Sequence, residues 1–492
     1  MTREADPERA PLLRNESEDA ADAKKRQEYG AMPWTSLWAI YFVNSVPGMA
    51  FLMILPFVNQ MLLDNGVVQD PEEAGYYSGF VESVFAIVQL FMIIPVSHSA
   101  EIFGRKPVIL IGSLGIAISS ACFGLSKTYT GMLLSRALGG AVGGTWAITR
   151  VMLNEMLPRV HHATAFGGLS ISYRIGQIIG LPLGGYLAHP ERHVGLTDPF
   201  WEEYPFALPC FVGAAFAVLA STFGYFTIPE TLKNPWTPFR SQQRISDSQV
   251  VSTGPQKIVT YRNVLTKTTF HQLLGCFLVC ILGEIIFPLL SLWAFTPLEA
   301  GGLQLDEASI GTLLGIRSAM QIVGLMFMPT LERRFGAERL YKVTVCAWLF
   351  TFPLFPVANL FARWYDDSKH PLVWATILVM YTMWTFTALT WPCLTIMLNA
   401  ASSSPEALTR LNALSQFTIV IPQAVGPAFG TSLFAFSLQT PFLHGHLVWV
   451  VLFLFACVLS THAWLFVREE DNIDFLNTEV AVSRDEHAER VE

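Results

Sequence analysis

Charge is scarce in this sequence of 492 residues: Asp, Glu, Lys and Arg together make up 14 % of it, where soluble domains carry about 25 %. That scarcity excludes a soluble enzyme that happens to be rich in leucine. The formal net charge is −8, and no basic stripe offsets it, so nucleic acid is not an expected partner. Cysteine is sparse as well. Cys122, Cys210, Cys276, Cys280, Cys346, Cys393 and Cys457 each fall in or at the end of an apolar stretch, where a thiol behaves as a small hydrophobe, and no loop offers a pair for a disulfide. Cys276 and Cys280 share a helix face at i, i+4, but two thiols without a His or carboxylate on that face make a poor cage. No metal and no cofactor is expected. The sequence also lacks a phosphate-binding loop, a His-Glu-x-x-His pattern and a Gly-x-Ser-x-Gly pattern, which argues against an enzyme and against a pump driven by ATP. No basic stretch leads into a short apolar segment at the start, so no cleaved signal peptide is expected.

What is abundant is apolar surface. Hydrophobic residues make up 52 % of the chain and aromatic ones 13 %, with 36 Phe and 13 Trp, which suits lipid-facing helices and interfacial belts. A bilayer-spanning helix uses about 20 apolar residues. Twelve such segments occur, at roughly 34–62, 76–97, 107–126, 129–152, 163–188, 205–228, 270–296, 309–331, 340–362, 371–397, 407–436 and 446–467. The expected fold is therefore an all-α polytopic membrane protein with twelve transmembrane helices in two six-helix bundles. The expected divisions are a polar N-terminal tail at 1–32, a first bundle at 33–228, a polar linker at 229–269, a second bundle at 270–467 and an acidic tail at 468–492. Both tails have the composition of disordered segments.

Basic residues set the expected orientation. If the N-terminus lies in the cytoplasm, the inner loops hold Arg105, Lys106, Arg159, the linker's Lys and Arg, Arg333, Arg334, Arg339, Lys342 and Arg410. The outer loops then hold only Lys127, Arg192, Arg363 and Lys369. Both termini are expected to be cytoplasmic. Four arginines fall inside spans: Arg136, Arg150, Arg174 and Arg317. A charge at the centre of a span costs roughly 2.5 to 3.5 kcal/mol on insertion scales, so each marks either function or a compensating partner. The acidic counterparts are Glu82 on the second helix and Glu284 on the seventh, the latter flanked by Gly283 and Pro288, where a helix can bend. Either carboxylate is a candidate proton carrier, with a structural pair to an arginine as the plainer alternative. Arg150 lies near a helix end and is expected to snorkel.

The two halves echo each other. IPVSHSAEIFGRKPVIL closes the second helix and FMPTLERRFGAERLYKV closes the eighth; Gly180-Leu-Pro-Leu-Gly184-Gly in the fifth answers Gly426-Pro-Ala-Phe-Gly430-Thr in the eleventh. A duplicated six-helix unit is the simplest source of two matches at corresponding spans.

With these pieces in order, the chain resembles the Major Facilitator Superfamily, in its drug:proton antiporter branch, and is most similar to zinc-induced-facilitator-like and fungal vacuolar members. The loop after the second helix fits that family's Gly-x-x-x-Asp-x-x-Gly-Arg-Lys signature as Ser97-x-x-x-Glu101-x-x-Gly104-Arg105-Lys106, with Ser for the first Gly and Glu for Asp. The fifth helix fits the antiporter motif through Gly167, Gly176, Gly180, Gly184 and Gly185, with its proline one place late at Pro182. Arg136, followed by Gly139, Gly140, Gly143 and Gly144, is similar to the family's proton-linked arginine motif, and Pro229-Glu230-Thr231 to its ending of the sixth helix. The resemblance implies a proton-coupled secondary transporter, an antiporter, moving a small organic solute by alternating access. The alternative is a sensor that keeps the fold and transports nothing.

In that reading Glu284, Glu82 and Arg136 serve proton coupling, and Glu101, Gly104, Arg105 and Lys106 form a cytoplasmic gate. Arg105 would reach helix-end carbonyls or Glu101. The glycines of the fifth helix serve close packing or a flex point. The resemblance also implies that the fifth and eighth helices face each other, which would make Arg174 and Arg317 substrate-binding residues and favour an organic anion or zwitterion over a cation. Expected partners are the solute, protons and the lipid bilayer, with the chain a monomer. Glu8, Leu12 and Leu13 fit an acidic dileucine sorting pattern that an adaptor reads, an address rather than an anchor, and together with the resemblance they favour a vacuolar over a plasma membrane. Asn15-Glu-Ser17 fits the glycosylation pattern, but on the cytoplasmic side no sugar is expected.

Overall fold

The computed structural model of the chain describes residues 32–232, 265–401, 405–440 and 445–467, and all regular structure among them is helical. The chain makes twelve helical passes, labelled α1 to α12. In the first half, α1 runs Trp34–Ala50 and, after a 3-10 turn at Leu52–Ile54, resumes as Val58–Asp64. It is followed by α2 (Ala74–Phe103) and α3 (Arg105–Gly124). Then α4 comes in two pieces, Tyr129–Val142 and Thr145–Met156, ahead of α5 (Arg159–Leu187) and α6 (Ala207–Thr227). The second half has α7 (Lys267–Phe295), α8 (Glu307–Met326, extended by Met328–Phe335) and α9 (Ala337–Tyr365). It ends with α10 (Pro371–Thr387 and Thr390–Ala400), α11 (Pro405–Gln439) and α12 (Leu447–Phe466).

Each expected span has its helix. Ten of them are long and apolar enough to cross a membrane by length and composition. The two that fall short are α4, broken at Gly143-Gly144, and α5, which carries Ser170, Ser172, Arg174 and Gln177 along its length. Those polar residues need a protein interior or a water-filled space rather than lipid, so they already mark where the interior lies. The breaks in the helical run have local causes: paired glycines in α4, and Pro56 in the irregular stretch of α1. Pro288 remains inside a continuous α7, as membrane bundles permit.

Six passes return the chain to the end at which it started. Ser36 Oγ at the start of α1 donates to the carbonyl of Thr227 at the end of α6, at 3.2 Å. His271 Nδ1 near the start of α7 lies 3.3 Å from His462 Nε2 near the end of α12. This is the terminal end of the bundle, and the opposite one is the far end. The repeat seen in the sequence is also seen in the backbone. Gly104 and Gly336, which open α3 and α9, have φ of +109° and +76° with ψ of 159° and 156°. Only glycine adopts that left-handed conformation cheaply, so both halves turn the same corner with the same residue.

The apolar core shows how the halves meet. At the far end one continuous cluster joins Met53, Phe57, Met61 and Leu181 of the first half to Ile285, Leu289, Leu313 and Phe434 of the second. Towards the terminal end the first half has its own core, around Leu37, Ile40, Ile109, Leu153 and Ala165, and Leu273, Leu398 and Leu411 form a separate small cluster in the second. The halves are thus sealed together at the far end. The tails, most of the linker, and Glu8, Leu12, Leu13 and Asn15 with them, lie outside the described residues.

Candidate functional site

Helix α5 is shaped by its small residues. A Cβ on Gly176 would lie 2.2 Å from the carbonyl oxygen of Ser45, and one on Gly184 would lie 2.0 Å from that of Met53, so α5 rests backbone to backbone on α1. Gly180 meets Met49 in the same way. On its other face, Gly185 abuts the carbonyl of Glu307, and Leu181 and Pro182 fill the spaces left by Gly311 and Gly315 of α8. Gly167, nearer the terminal end, has open space where its Cβ would be. Close approach through small residues is the ordinary basis of helix packing in lipid, and here it brings two polar faces together, those of α5 and α8.

Those faces carry the intramembrane charges. Arg174 Nη1 on α5 donates to Gln177 Oε1 at 3.1 Å. The guanidinium of Arg317 on α8 lies over two rings, Trp384 of α10 at 4.1 Å and Phe287 of α7 at 4.8 Å, contacts that favour a cation when desolvated. Glu284 on α7 lies within the electrostatic reach of Gln423 on α11 and of Arg174 and Arg317. Its backbone packs against Gly426, whose Cβ would meet Glu284 Cβ at 3.0 Å. All three charged side chains are half-buried. Among the described residues neither Arg174 nor Arg317 has a carboxylate within 4.0 Å.

Glu82 does not join these two arginines; it makes a pair with Arg136. Arg136 Nη2 on α4 donates to Glu82 Oε2 at 3.0 Å. The same guanidinium reaches the carbonyls of Val81 at 3.4 Å and Phe51 at 3.5 Å, and it sits over the rings of Phe51 and Phe85. Glu82 Oε1 is buried without a partner. Arg150 lies over Trp146 at 3.8 Å.

At the terminal end the motif around Gly104 is assembled by a residue from outside it. Glu230, just past α6, accepts from the backbone N–H groups of Arg105 at 2.9 Å and Lys106 at 3.1 Å, and from those of Thr231 and Leu232, both at 2.9 Å. A carboxylate at a helix start satisfies orphan donors and complements the helix dipole. Arg105 Nη1 donates to the carbonyl of Ala100 at 2.8 Å and Nη2 to Glu155 Oε1 at 3.1 Å. The carbonyl contact was expected. The carboxylate is Glu155 of α4 rather than Glu101, which lies 3.7 Å from His98, because Glu101 sits on the preceding turn of α2 while Arg105 turns toward α4. Lys106 lies over Tyr225 at 5.2 Å. Thr231 Oγ1 closes the ring by donating to Glu155 Oε2 at 2.6 Å. These bonds all lie within the first half.

Bonds that cross between the halves cluster toward the far end. Ser291 Oγ donates to the carbonyl of Leu55, Asn59 Nδ2 to Ser291 Oγ, and Tyr76 OH to Gln439 Oε1 at 3.1 Å. The backbone N–H of Ala428 donates to Ser83 Oγ at 3.1 Å. Beside this seam, an apolar groove of about 600 Å³ runs between α2 and α11 past Tyr76, Phe80, Val425 and Phe429; no charged residue lines it. Sequence reasoning missed Gln423, Glu155 and the ring partners of Arg317. A lone Gln within an apolar run was the one available signal for Gln423, whereas Trp384 and Phe287 are indistinguishable in sequence from lipid-facing aromatics.

Comparison with known proteins agrees with this geometry. The profile of the Major Facilitator Superfamily matches residues 37–345. An efflux pump of Aspergillus niger, azaK, is 29 % identical over 86 % of both chains. ZINC INDUCED FACILITATOR 1 of Arabidopsis thaliana is 28 % identical over 59 % of this chain and 62 % of its own. The solved structure of a D-xylose–proton symporter superposes with a TM-score of 0.68 at 12 % identity, covering 89 % of this chain and 98 % of that one. The chain belongs to the Major Facilitator Superfamily, with the relatives expected of its drug:proton antiporter branch, and it is a membrane transporter rather than an enzyme.

Proposed function

We propose that this member of the Major Facilitator Superfamily is a proton-coupled antiporter of a small organic solute bearing an anionic group, either an acid or a zwitterion. The observation that carries the reading is the pair of arginines, Arg174 on α5 and Arg317 on α8, which lie within electrostatic reach of each other and, among the described residues, have no carboxylate within 4.0 Å. Two guanidinium groups in one desolvated space repel, and an anion between them relieves that repulsion; a carboxylate or phosphate also suits the guanidinium fork. A site for cations would place acids there instead. Glu284, half-buried and with no basic residue within 4.0 Å among the described residues, is the proton carrier in this reading. Rocking of the two halves about this midplane site exposes it alternately to either side.

The remaining expectations belong to the same proposal. The unit boundaries at residues 33–228 and 270–467, cytoplasmic termini, a monomer, the gate around Gly104, Arg105 and Lys106, a flex point at the helix-α5 glycines, and vacuolar sorting through Glu8, Leu12 and Leu13 are its parts. Flux into proteoliposomes under an imposed pH gradient tests the substrate class, with anionic, zwitterionic and cationic solutes run side by side. The expected result is gradient-driven movement of anions or zwitterions, with affinity lost in Arg174→Gln and in Arg317→Gln. Movement of cations alone, with both variants retaining normal affinity, would refute it.

A further inference from the structure

The far-end seal contains one cluster of ionisable groups that the transport site does not use. His189 directly follows the turn that ends α5. It is 7 % exposed and takes a left-handed φ of +52°, which few residues other than glycine adopt. Its backbone is anchored by donation to the carbonyl of Pro205 at 3.0 Å, and its ring packs edge-on against Phe206 at 5.0 Å. Three carboxylates from three elements surround the imidazole. Asp64, at the end of α1, places Oδ2 3.1 Å from Nε2; Glu191, in the short helix Pro190–His193, places Oε1 3.0 Å from Nδ1. Glu307, in the first turn of α8, places Oε1 3.9 Å from Nε2. Among the described residues, Arg192 is the cation that acts on the ring.

Asp64, Glu191 and Arg192 belong to the same half as His189, whereas Glu307 belongs to the other. Glu307 is 7 % exposed, and its backbone carbonyl presses on Gly185 where a Cβ would lie 2.0 Å away. The side-chain contact and the backbone contact thus occur together, at the point where α8 closes on α5. When the far end opens, Glu307 leaves its buried position and enters water, while the other two carboxylates stay beside His189.

We infer that His189 is a proton-binding latch at the far end: when protonated, it holds α8 against α5, so the proton concentration on that side governs how readily the far end opens. Burial of the ring works to lower its affinity for a proton, and Arg192 adds to that. The Asp64 and Glu307 carboxylates outweigh both and hold the pKa above the ordinary 6.5. Asp64, Pro205 and Phe206 belong to the half of His189 and stay with it, so the Glu307 carboxylate is what opening withdraws, and the ring then holds its proton less tightly in the open state than in the closed one. By linkage, a proton bound more tightly when the far end is closed also favours closure. A proton arriving from the far compartment then resets the transporter toward the other side, the direction a proton-driven antiporter requires.

The test reads conformation and is independent of substrate. The full chain is reconstituted in lipid nanodiscs with spin labels at Val194→Cys and Glu299→Cys, one on each half at the far end, after Cys122, Cys280, Cys346 and Cys457 are replaced by Ser. Pulsed electron-spin distances are recorded from pH 5.5 to 8.5. A difference of one pKa unit between closed and open states is a tenfold shift in their ratio, so the closed-to-open ratio is expected to fall at least threefold as pH rises. His189→Gln should abolish that response. Glu307→Gln, which removes the partner across the seam and spares Asp64, should reduce it to less than half. A wild-type ratio independent of pH, or a full response in either variant, overturns the inference. Should His189→Gln fail to fold, Glu307→Gln decides alone.

Discussion

Two glycines of the same helix motif should respond in opposite directions to the same substitution. At Gly176 an added Cβ would lie 2.2 Å from the carbonyl oxygen of Ser45 and 2.9 Å from the backbone nitrogen of Met49. Both obstacles are backbone, so α1 and α5 must move apart by about 1 Å, and overpacking of this kind costs about 1–3 kcal/mol. Because no side chain can swing away, the upper part of that range applies. The helix itself gains about 1 kcal/mol when alanine replaces glycine, which leaves Gly176→Ala less stable by roughly 2 kcal/mol. At Gly167 nothing lies within 4 Å of the added carbon, and only the gain of about 1 kcal/mol remains. With a shift of about 2–4 °C in Tm per kcal/mol for domains of 150–250 residues, Gly176→Ala should melt about 4–8 °C lower. Gly167→Ala should melt about 2–4 °C higher. Thermal unfolding of the purified chain in one detergent, followed by scanning fluorimetry, measures both. A Gly176→Ala protein as stable as wild type, or a Gly167→Ala protein that loses as much, would refute the packing argument. A Gly167→Ala protein that is more stable yet transports slowly would favour a flex point there, since the open space would then be filled at another stage of the cycle.

Arg136→Lys keeps the charge but loses the fork that reaches Glu82, Val81 and Phe51 together, so gradient-driven uptake should fall about tenfold or more with expression retained. Glu230→Ala leaves four backbone N–H groups at the start of α3 and just past α6 without their carboxylate. After discounting for exposure, a loss of about 1–2 kcal/mol is expected, read as a lower Tm, while Glu101→Ala should change Tm by less. Leu12→Ala with Leu13→Ala should move a fluorescently tagged protein from the vacuolar membrane to the cell surface; an unchanged pattern under the microscope removes the sorting argument.

The sequence announced the helices more fully than their partnerships, for a physical reason. Helix number follows from apolar length, which each segment shows by itself. The spans at 34–62 and 129–152 are each expected as one helix, and their breaks at Leu52–Ile54 and at Gly143-Gly144 emerge only in the structure. Pairing is a property of distance between segments far apart in the chain. Glu82 and Arg136 are 54 positions apart, and neither their spacing nor their flanks distinguishes that pair from Glu82 with Arg174. Arg105 shows the same difficulty: of its expected partners, helix-end carbonyls or Glu101, the carbonyl of Ala100 is local and is found, whereas Glu155, 50 positions on, is brought near only by the packing of α4 beside the loop. His189 was passed over altogether. A histidine before a proline in a polar loop looks like solvent-exposed chain until Asp64 and Glu307 are placed around it.

The same pairings separate the two candidate proton carriers. Glu82 is held by a guanidinium at 3.0 Å, and that guanidinium is fixed by two carbonyls and lies over two rings. Its charge is spent within one half, on an arrangement that rocking of the halves leaves intact, so a change of access does not by itself change its surroundings. Glu284 is placed differently. Its backbone packs on Gly426 of α11, and Gln423 of α11 and Arg174 of α5, the latter on the other half, act on its carboxyl group. In the proposed reading, movement of α5 relative to α7 alters the field on Glu284, and an anionic solute between Arg174 and Arg317 would compete with it for the same positive charge. That competition is the coupling an antiporter needs, since solute and carboxylate charge cannot both be satisfied at once. Glu284→Gln should therefore lose uphill transport driven by the pH gradient and keep downhill exchange of solute. Glu82→Gln, which leaves Arg136 without its counter-charge, should depress both together. Uphill transport that survives in Glu284→Gln and fails selectively in Glu82→Gln would transfer the role to Glu82 and reverse the assignment.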